Sequence, residues 1–435
     1  VQRSWCCEAF MTTNAAPLQP DEAEHLTLEV IALDGTRVTV VTLLRTDPVR
    51  SIRQAAARAL GTESQFNFDL VHGSRVLKDA ERLHEAGLGD GSALSLVRLP
   101  PLRVLTASAD GAARLFELES GCCVQTFDEH DIAVVSAAAS PDGAHVLITA
   151  ADSSVRLFEA ETGVCLHRFD AAAGLGASPA TFSPDGAHLL IVSGGEAEVV
   201  DALSGGCKCT CSGSGSAVAS AQFSPCGQRV LVLSSTLDLH SATSGAHELA
   251  FAAAPRPVVR AEFSPDGGRL AAITADGEAR LLSTASGLRE HSFDAQLGWA
   301  SLAAFSPVGS HLLIIYASCT HAVFDLEPAV RRRCSFEAGY YAPPSSARFS
   351  PDGRLLLVPC DSDSAKLFCA ETGACLRTLR GHGSAVNSAE FSPDGCWALT
   401  ASDDRHARLY DVASGSCLQV LPEHGSRVNS ALFVH

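Results

Sequence analysis

Residues 381–421 read GHGSAVNSAEFSPDGCWALTASDDRHARLYDVASGSCLQVL. Four short apolar runs follow one another in this stretch, at 385–391, 397–401, 407–410 and 417–421. Three turn signals separate them: Ser392-Pro-Asp-Gly395, Asp403-Asp404 and Ser414-Gly415. Short runs of β-branched, Leu and aromatic residues between such breakers read as strands. In the first turn Pro presets φ and Gly supplies a permissive position. None of the runs has the length or the 3.6-residue period of a helix.

The first turn recurs along the chain. Ser-Pro-x-Gly begins at Ser140, Ser183, Ser224, Ser264, Ser306, Ser350 and Ser392, with spacings of 43, 41, 40, 42, 44 and 42 residues. A period near forty marks a unit too small to bury its own core, which must stack on its neighbours. Four antiparallel strands per period make the blade of a β-propeller. The unit resembles the WD40 family. Gly381-His382 opens it, Phe391-Ser-Pro-Asp-Gly395 matches the first strand and its turn, and Arg408-Leu-Tyr-Asp411 stands where the family has Trp-Asp. The cassette returns as Val155-Arg-Leu-Phe158-Glu159, Ala113-Arg-Leu-Phe116-Glu117 and Lys366-Leu-Phe368. The aromatic is Phe or Tyr, never Trp, and either fills an apolar pocket between blades.

Seven complete units follow His130, and two partial ones flank them. Residues 103–130 carry a second, third and fourth strand without a first. Residues 425–435 match 383–392 and carry a first strand only. The pieces complement each other, so eight blades are expected in residues 101–435, the eighth closed by N- and C-terminal strands. Closure leaves no open edge. Seven is the alternative count, because the units ending Val199-Val200-Asp201, Leu239-His240-Ser241 and Val323-Phe324-Asp325 are degenerate. The resemblance implies a buried His–Asp–Ser/Thr network in the better-formed blades. It would join His382 to Asp404 and Ser402, His130 to Asp152, and in the closing blade His424 to Asp110.

The first hundred residues differ. Residues 1–24 read as disordered. In 25–100, two strands meet at Asp34-Gly35, a hairpin signal. Thr46-Asp47-Pro48 then reads as a helix start, with Val49, Ile52, Ala56 and Leu60 on one face and Gly61 as the stop. Further strands follow at 66–71 and 93–98, in the order β-β-α-β-β. With the stretch Leu70-Val-His-Gly-Ser-Arg-Val-Leu-Lys-Asp79, Leu83 and Ser92-Ala-Leu-Ser-Leu-Val97, the segment resembles ubiquitin. The small α+β fold is what this resemblance implies, with an apolar recognition face at Leu70 and Val97. Where ubiquitin ends in Gly-Gly, this chain reads Arg98-Leu-Pro-Pro101 and runs on. That junction offers no free carboxyl for conjugation.

Composition narrows the partners. A net charge of −17 argues against duplex DNA or RNA, whose binding rests on Lys and Arg neutralising phosphates. Arg331-Arg-Arg333 reads as a solvated loop. Arg114, Arg156, Arg280, Lys366 and Arg408 share one repeat position, and their stems are expected along the strand rather than in a cationic ring. Sixteen Cys include a recurring set, Cys123, Cys165, Cys207, Cys375 and Cys417, read as small packing residues. Reduced thiols, no signal-peptide pattern and no apolar run near twenty residues point to the cytoplasm, with the nucleus as alternative, and to no membrane partner. Cys207, Cys209 and Cys211 share a strand face, but the Cys-x-x-Cys spacing of structural zinc is missing. No metal or cofactor is expected.

Motifs of catalysis are absent too: Gly-x-Ser-x-Gly, Gly-x-x-x-x-Gly-Lys-Ser/Thr and His-Glu-x-x-His do not occur. The leading reading is a non-catalytic scaffold that docks other proteins or peptides. An adaptor in ubiquitin–proteasome turnover is the alternative, although Tyr410-Asp411 is followed by Val412-Ala413 and not by the x-Arg of ligase receptors. A propeller hydrolase or lyase is the third reading. It would need channel-facing acids or His that break the repeat. The sequence sets no oligomeric state.

Overall fold

The computed structural model describes residues 25–434 except 33–35, 61–67, 74, 78–80, 99–101, 129–131, 170–177, 215, 252–255, 294–296, 338–346, 361–362 and 423. The expectations for residues 1–24, the Asp34-Gly35 turn, Gly61 and His130 therefore lie outside the described residues. Contacts divide the chain into two units, Val1–Leu99 and Pro100–His435.

In the first unit, β1 (His25–Ala32) and β2 (Arg37–Leu44) form an antiparallel pair. Then come α1 (Arg50–Ala59), β3 (Phe68–His72), β4 (Arg75–Val76) and β5 (Ala93–Arg98). The sheet order is β2-β1-β5-β3-β4, with β1 and β5 parallel. The helix buries Val49, Ile52 and Ala56 against Leu28, Leu70, Leu83 and Leu94. Its start differs from the expected cap. Val49 is the N-cap and makes no side-chain bond, while the Asp47 carboxylate accepts the Leu44 N–H at 3.0 Å.

Among the described residues the second unit forms eight four-stranded antiparallel sheets. Sheets 1 to 7 span 134–169, 181–212, 220–250, 258–293, 300–337, 348–380 and 386–420. Sheet 8 joins Val428–Val434 to Arg103–Ser108, Ala113–Glu117 and Cys123–Phe127. Sheet 8 packs on sheet 7 at one side and on sheet 1 at the other. Neighbouring first strands touch one another, so they form the inner wall, and the fourth strands lie outermost. This stacking is that of a β-propeller.

The repeated turn shows why the sequence keeps its period. Ser392 is fully buried; its Oγ donates to Asp394 Oδ1 at 2.5 Å and accepts the Trp397 N–H at 2.9 Å. Gly395 takes φ +73° and lies over Pro351 of the preceding turn, where a Cβ would sit 3.4 Å from Cδ. Each residue of the tetrapeptide thus has a fixed task. Replacing Ser392 by Ala strands a buried N–H and should cost about 1–3 kcal/mol, measured by equilibrium denaturation.

Between sheets the core is built from aromatic pairs. The third-strand aromatic packs on an aromatic at the end of the preceding fourth strand: Phe158 on Phe127 at 5.2 Å, Phe324 on Phe293 at 4.9 Å, Phe368 on Phe336 at 4.3 Å. Beside this residue the fourth strand bulges, as between Leu115 and Phe116 or Leu409 and Tyr410. The recurring cysteine is the residue opposite the aromatic at that bulge. Its thiol donates to the carbonyl two residues on, at 3.3 Å for Cys123 and 3.5 Å for Cys417. The expected packing role is thereby corrected: Cys123, Cys207, Cys375 and Cys417 are exposed, held by local bulge geometry.

Candidate functional site

The polar network of sheet 7 is compact. His382 is buried; its Nδ1 lies 2.8 Å from Asp404 Oδ2 and its Nε2 lies 2.7 Å from Thr400 Oγ1. The Asp404 carboxylate also accepts the Gly383 and His406 N–H groups at 2.9 and 3.0 Å. Ser402 does not bond His382. Its hydroxyl donates to Ser384 O and accepts the Asp404 N–H. The hydroxyl on the imidazole is Thr400, two residues earlier on the same strand face. Burial holds the His382 pKa below the usual imidazole range, against the pull of Asp404.

Sheet 8 builds its network from opposite ends of the chain, in a different way. His424 Nε2 is 3.0 Å from Thr106 Oγ1, but Nδ1 is 3.8 Å from Asp110 Oδ2, too far for a hydrogen bond. Arg114 sits between them, against His424 Nδ1 and 2.9 Å from Asp110. The expected His424–Asp110 pair is therefore bridged by a guanidinium. Burial and then Arg114 press the His424 pKa down to about 4. In sheet 1, Asp152 accepts the Ser154 N–H at 2.9 Å.

The basic repeat position is locally neutralised. Arg114 pairs with Asp110, Arg280 with Glu278, and Arg408 lies 3.7 Å from Asp404. Arg331-Arg-Arg333 is not a loop: it opens the fourth strand of sheet 5, Arg331–Glu337. Arg331, paired with Asp325, and Arg333, the bulged residue between Arg332 and Cys334, both grip the buried Asp325 at 2.8 and 2.7 Å. Cys207, Cys209 and Cys211 run from exposed to buried along their strand, and burial pushes the Cys211 thiol up to about 12. No described group of three His, Cys, Asp or Glu side chains is placed to hold a metal.

In the first unit, the face expected at Leu70 and Val97 needs correction. Leu70 is fully buried in the core, opposite Leu96. The outward row of the same two strands is Asp69 with Val97 and Val71 with Ser95. Val71 and Val97 are partly exposed, and Val76, paired with Val71, is 51% exposed.

One cluster went unnoticed in the sequence. The residue just before the Phe of the Phe-Ser-Pro turn lies on the inner strand, and in several sheets it is a long polar side chain. Gln222 donates to Ala261 O at 2.9 Å. Glu262 and Glu390 carry carboxylates at this position, where the Phe305 and Phe433 N–H groups of the next inner strand favour their charged forms. Arg348 holds the same position in sheet 6 and acts on both carboxylates through its charge. Burial raises both acids despite Arg348, and brings Glu390 to about 7. The sequence carries no distinct signal for it, because other positions of the frame, such as the residue after each turn Gly, vary as freely.

Because Glu390 is raised in the fold, its contribution to stability is fully present below its ordinary value of 4.5 and is lost as pH rises through about 7. Glu390→Gln does not titrate. It should gain on the wild type between about pH 5 and pH 8, by up to about 3 kcal/mol. Melting curves across that range check it; parallel profiles would refute it.

Two stretches, 121–159 and 373–411, match the model of the WD domain, G-beta repeat. The chain carries WD repeats. Each match takes in the fourth strand of one sheet and the first three strands of the next. WD repeats therefore straddle the sheet boundaries here, each tying two sheets together. No curated protein matches the chain. Among solved structures, the computationally designed Ika8 protein is similar over 71% of this chain and 93% of its own, with TM-score 0.61 at 18% identity. Dihydro-heme d1 dehydrogenase NirN, solved in complex with DHE, is similar over 76% and 75%, also with TM-score 0.61 at 18% identity. At such identity the likeness bears on fold alone.

Proposed function

We propose that the chain is a non-catalytic interaction scaffold, with the second unit acting as one closed eight-bladed propeller that docks proteins or peptides. The WD repeats at 121–159 and 373–411 carry this reading, because WD40 domains generally bind other proteins. The polar side chains His382, Asp404, His424 and Asp110 are engaged in holding turns. Fourteen described cysteines are free, which supports a reducing compartment, the cytoplasm or alternatively the nucleus. The test is affinity capture with the full chain, followed by calorimetry of each candidate as a purified protein. Direct stoichiometric binding is the expected result. Saturable turnover in hydrolase, lyase or dehydrogenase screens, abolished by Glu262→Gln or Glu390→Gln, would replace the scaffold by an enzyme.

The outward valines of the first unit favour a second reading, an adaptor in ubiquitin-dependent turnover. The β-β-α-β-β order with parallel β1 and β5 supports a ubiquitin-like fold, and Val71 and Val97 would be its contact face. Proteasome binding by the full chain, lost in Val71→Asp and retained in Leu203→Ala, would support it. Equal binding by both variants would remove it.

A further inference from the structure

We infer that the junction of sheets 4 and 5 docks an extended acidic peptide carrying a large apolar residue, with Trp299 as the anchor and Arg256 and Arg260 as charge partners. This deepens the scaffold reading and rests on it.

Trp299 is 67% exposed, although it immediately precedes the inner strand Ala300–Phe305. Its base is fixed. A Cβ on Gly277 would lie 2.7 Å from both Cα and Cβ of Trp299 and 2.8 Å from its Cγ, so the glycine opens the seat for the indole. Backbone bonds hold the segment from both sides: Ala300 N–H to Gly277 O at 2.9 Å, and Ala317 N–H to Trp299 O at 2.8 Å. An aromatic ring that is exposed yet already positioned loses little entropy on binding. Large aromatic residues dominate interface energies.

Apolar surface continues beside it. Val259 is the bulged residue between Val258 and Arg260, and is 48% exposed. At the same position in sheets 7 and 8, Asn387 and Asn429 bond the next inner strand at Val428 O and Val134 O. By that register Val259 faces Ala300, next to Trp299. Pro257, also exposed, bonds Ala275 N–H two residues before Gly277.

The charges select the partner. Arg256 and Arg260 are exposed, and neither has an ion-pair partner among the described residues. The carboxylates of the adjacent turn are already engaged. Asp276 accepts the Thr274 hydroxyl, and Glu278 pairs with Arg280 and Arg289. On a chain of net charge −17, two unpaired arginines flanking exposed Pro257 and Val259 at the strand next to Trp299 make this junction locally positive and apolar. An acidic peptide complements it, and a basic one is repelled.

The test uses the full chain and three fluorescein-labelled peptides of equal length: alternating Asp and Leu, alternating Lys and Leu, and alternating Asp and Ser. Anisotropy is read at low and high salt. The Asp–Leu peptide should bind, and its affinity should fall with salt. It should weaken at least about tenfold in Trp299→Ala and in Arg256→Glu/Arg260→Glu, with partial recovery in Trp299→Phe. Leu203→Ala, which removes an 82% exposed apolar side chain elsewhere, should leave binding unchanged. Equal binding of the Lys–Leu peptide, an unaffected Trp299→Ala variant or no binding at all would overturn the inference. Partners captured and verified by calorimetry that bind Trp299→Ala normally would overturn this surface while leaving the scaffold reading intact.

Discussion

Deleting residues 426–435 should lower the melting temperature by about ten degrees or more, or leave no cooperative transition. The deletion removes the first strand of sheet 8. Val428, Ala431, Phe433 and Val434 are each 5% exposed or less, and all would be lost from the seams with sheets 1 and 7. At about 1.5–3 kcal/mol for each large apolar side chain, burial alone accounts for about 5–8 kcal/mol. Polar losses add to it. The Ser108 hydroxyl loses Arg427 O, and the Val134 carbonyl loses the Asn429 amide. Arg103–Ser108 becomes an open edge, so the truncated protein should also aggregate at concentrations where the full chain stays monodisperse. Calorimetry with light scattering measures both. An unchanged melting temperature would mean that the eighth sheet does not close the assembly.

Asp404→Ala should be the most destabilising single substitution in sheet 7, at about 3–5 kcal/mol. It strands the Gly383 and His406 N–H groups and leaves the buried His382 ring without its carboxylate. The hydroxyls give the internal comparison. Thr400→Val removes the partner of His382 Nε2, whereas Ser402→Ala touches only Ser384 O and the Asp404 N–H. Thr400→Val should therefore cost more than Ser402→Ala, by about 1 kcal/mol or more. Urea denaturation of the three variants decides the order, and a reversed order would sink the assigned network.

The sheets were legible in the sequence because the Ser-Pro-x-Gly turn gives each of its residues a separate task, so the motif persists wherever a unit turns. The helix face Val49, Ile52, Ala56 was legible for the same reason, through periodicity. Side-chain partners were harder to read. Leu70 and Val71 differ by one step, and one step on a strand reverses the face. Thr400 and Ser402 share a face, and only the depth of the strand against His382 separates them. That depth depends on the bulge between Val386 and Ser388. Arg114 between His424 and Asp110 could not be read from spacing, because a long side chain chooses among several partners. Glu262 and Glu390 read as ordinary strand residues, because their burial comes from the neighbouring inner strands and not from their own.

The two-ended sheet also sets an order on biosynthesis. Ribosomes emit Arg103–Ser108 long before its partner Val428–Val434; Thr106 and His424 alone are 318 residues apart. At about 5–20 residues per second, the nascent chain waits roughly 15–60 s with that strand edge open. Sheets 1 to 7, each contiguous in sequence, are free to form as they emerge. The earliest-made strands of the second unit are thus the last to be completed, and a chaperone shielding them on the ribosome would matter most for this edge.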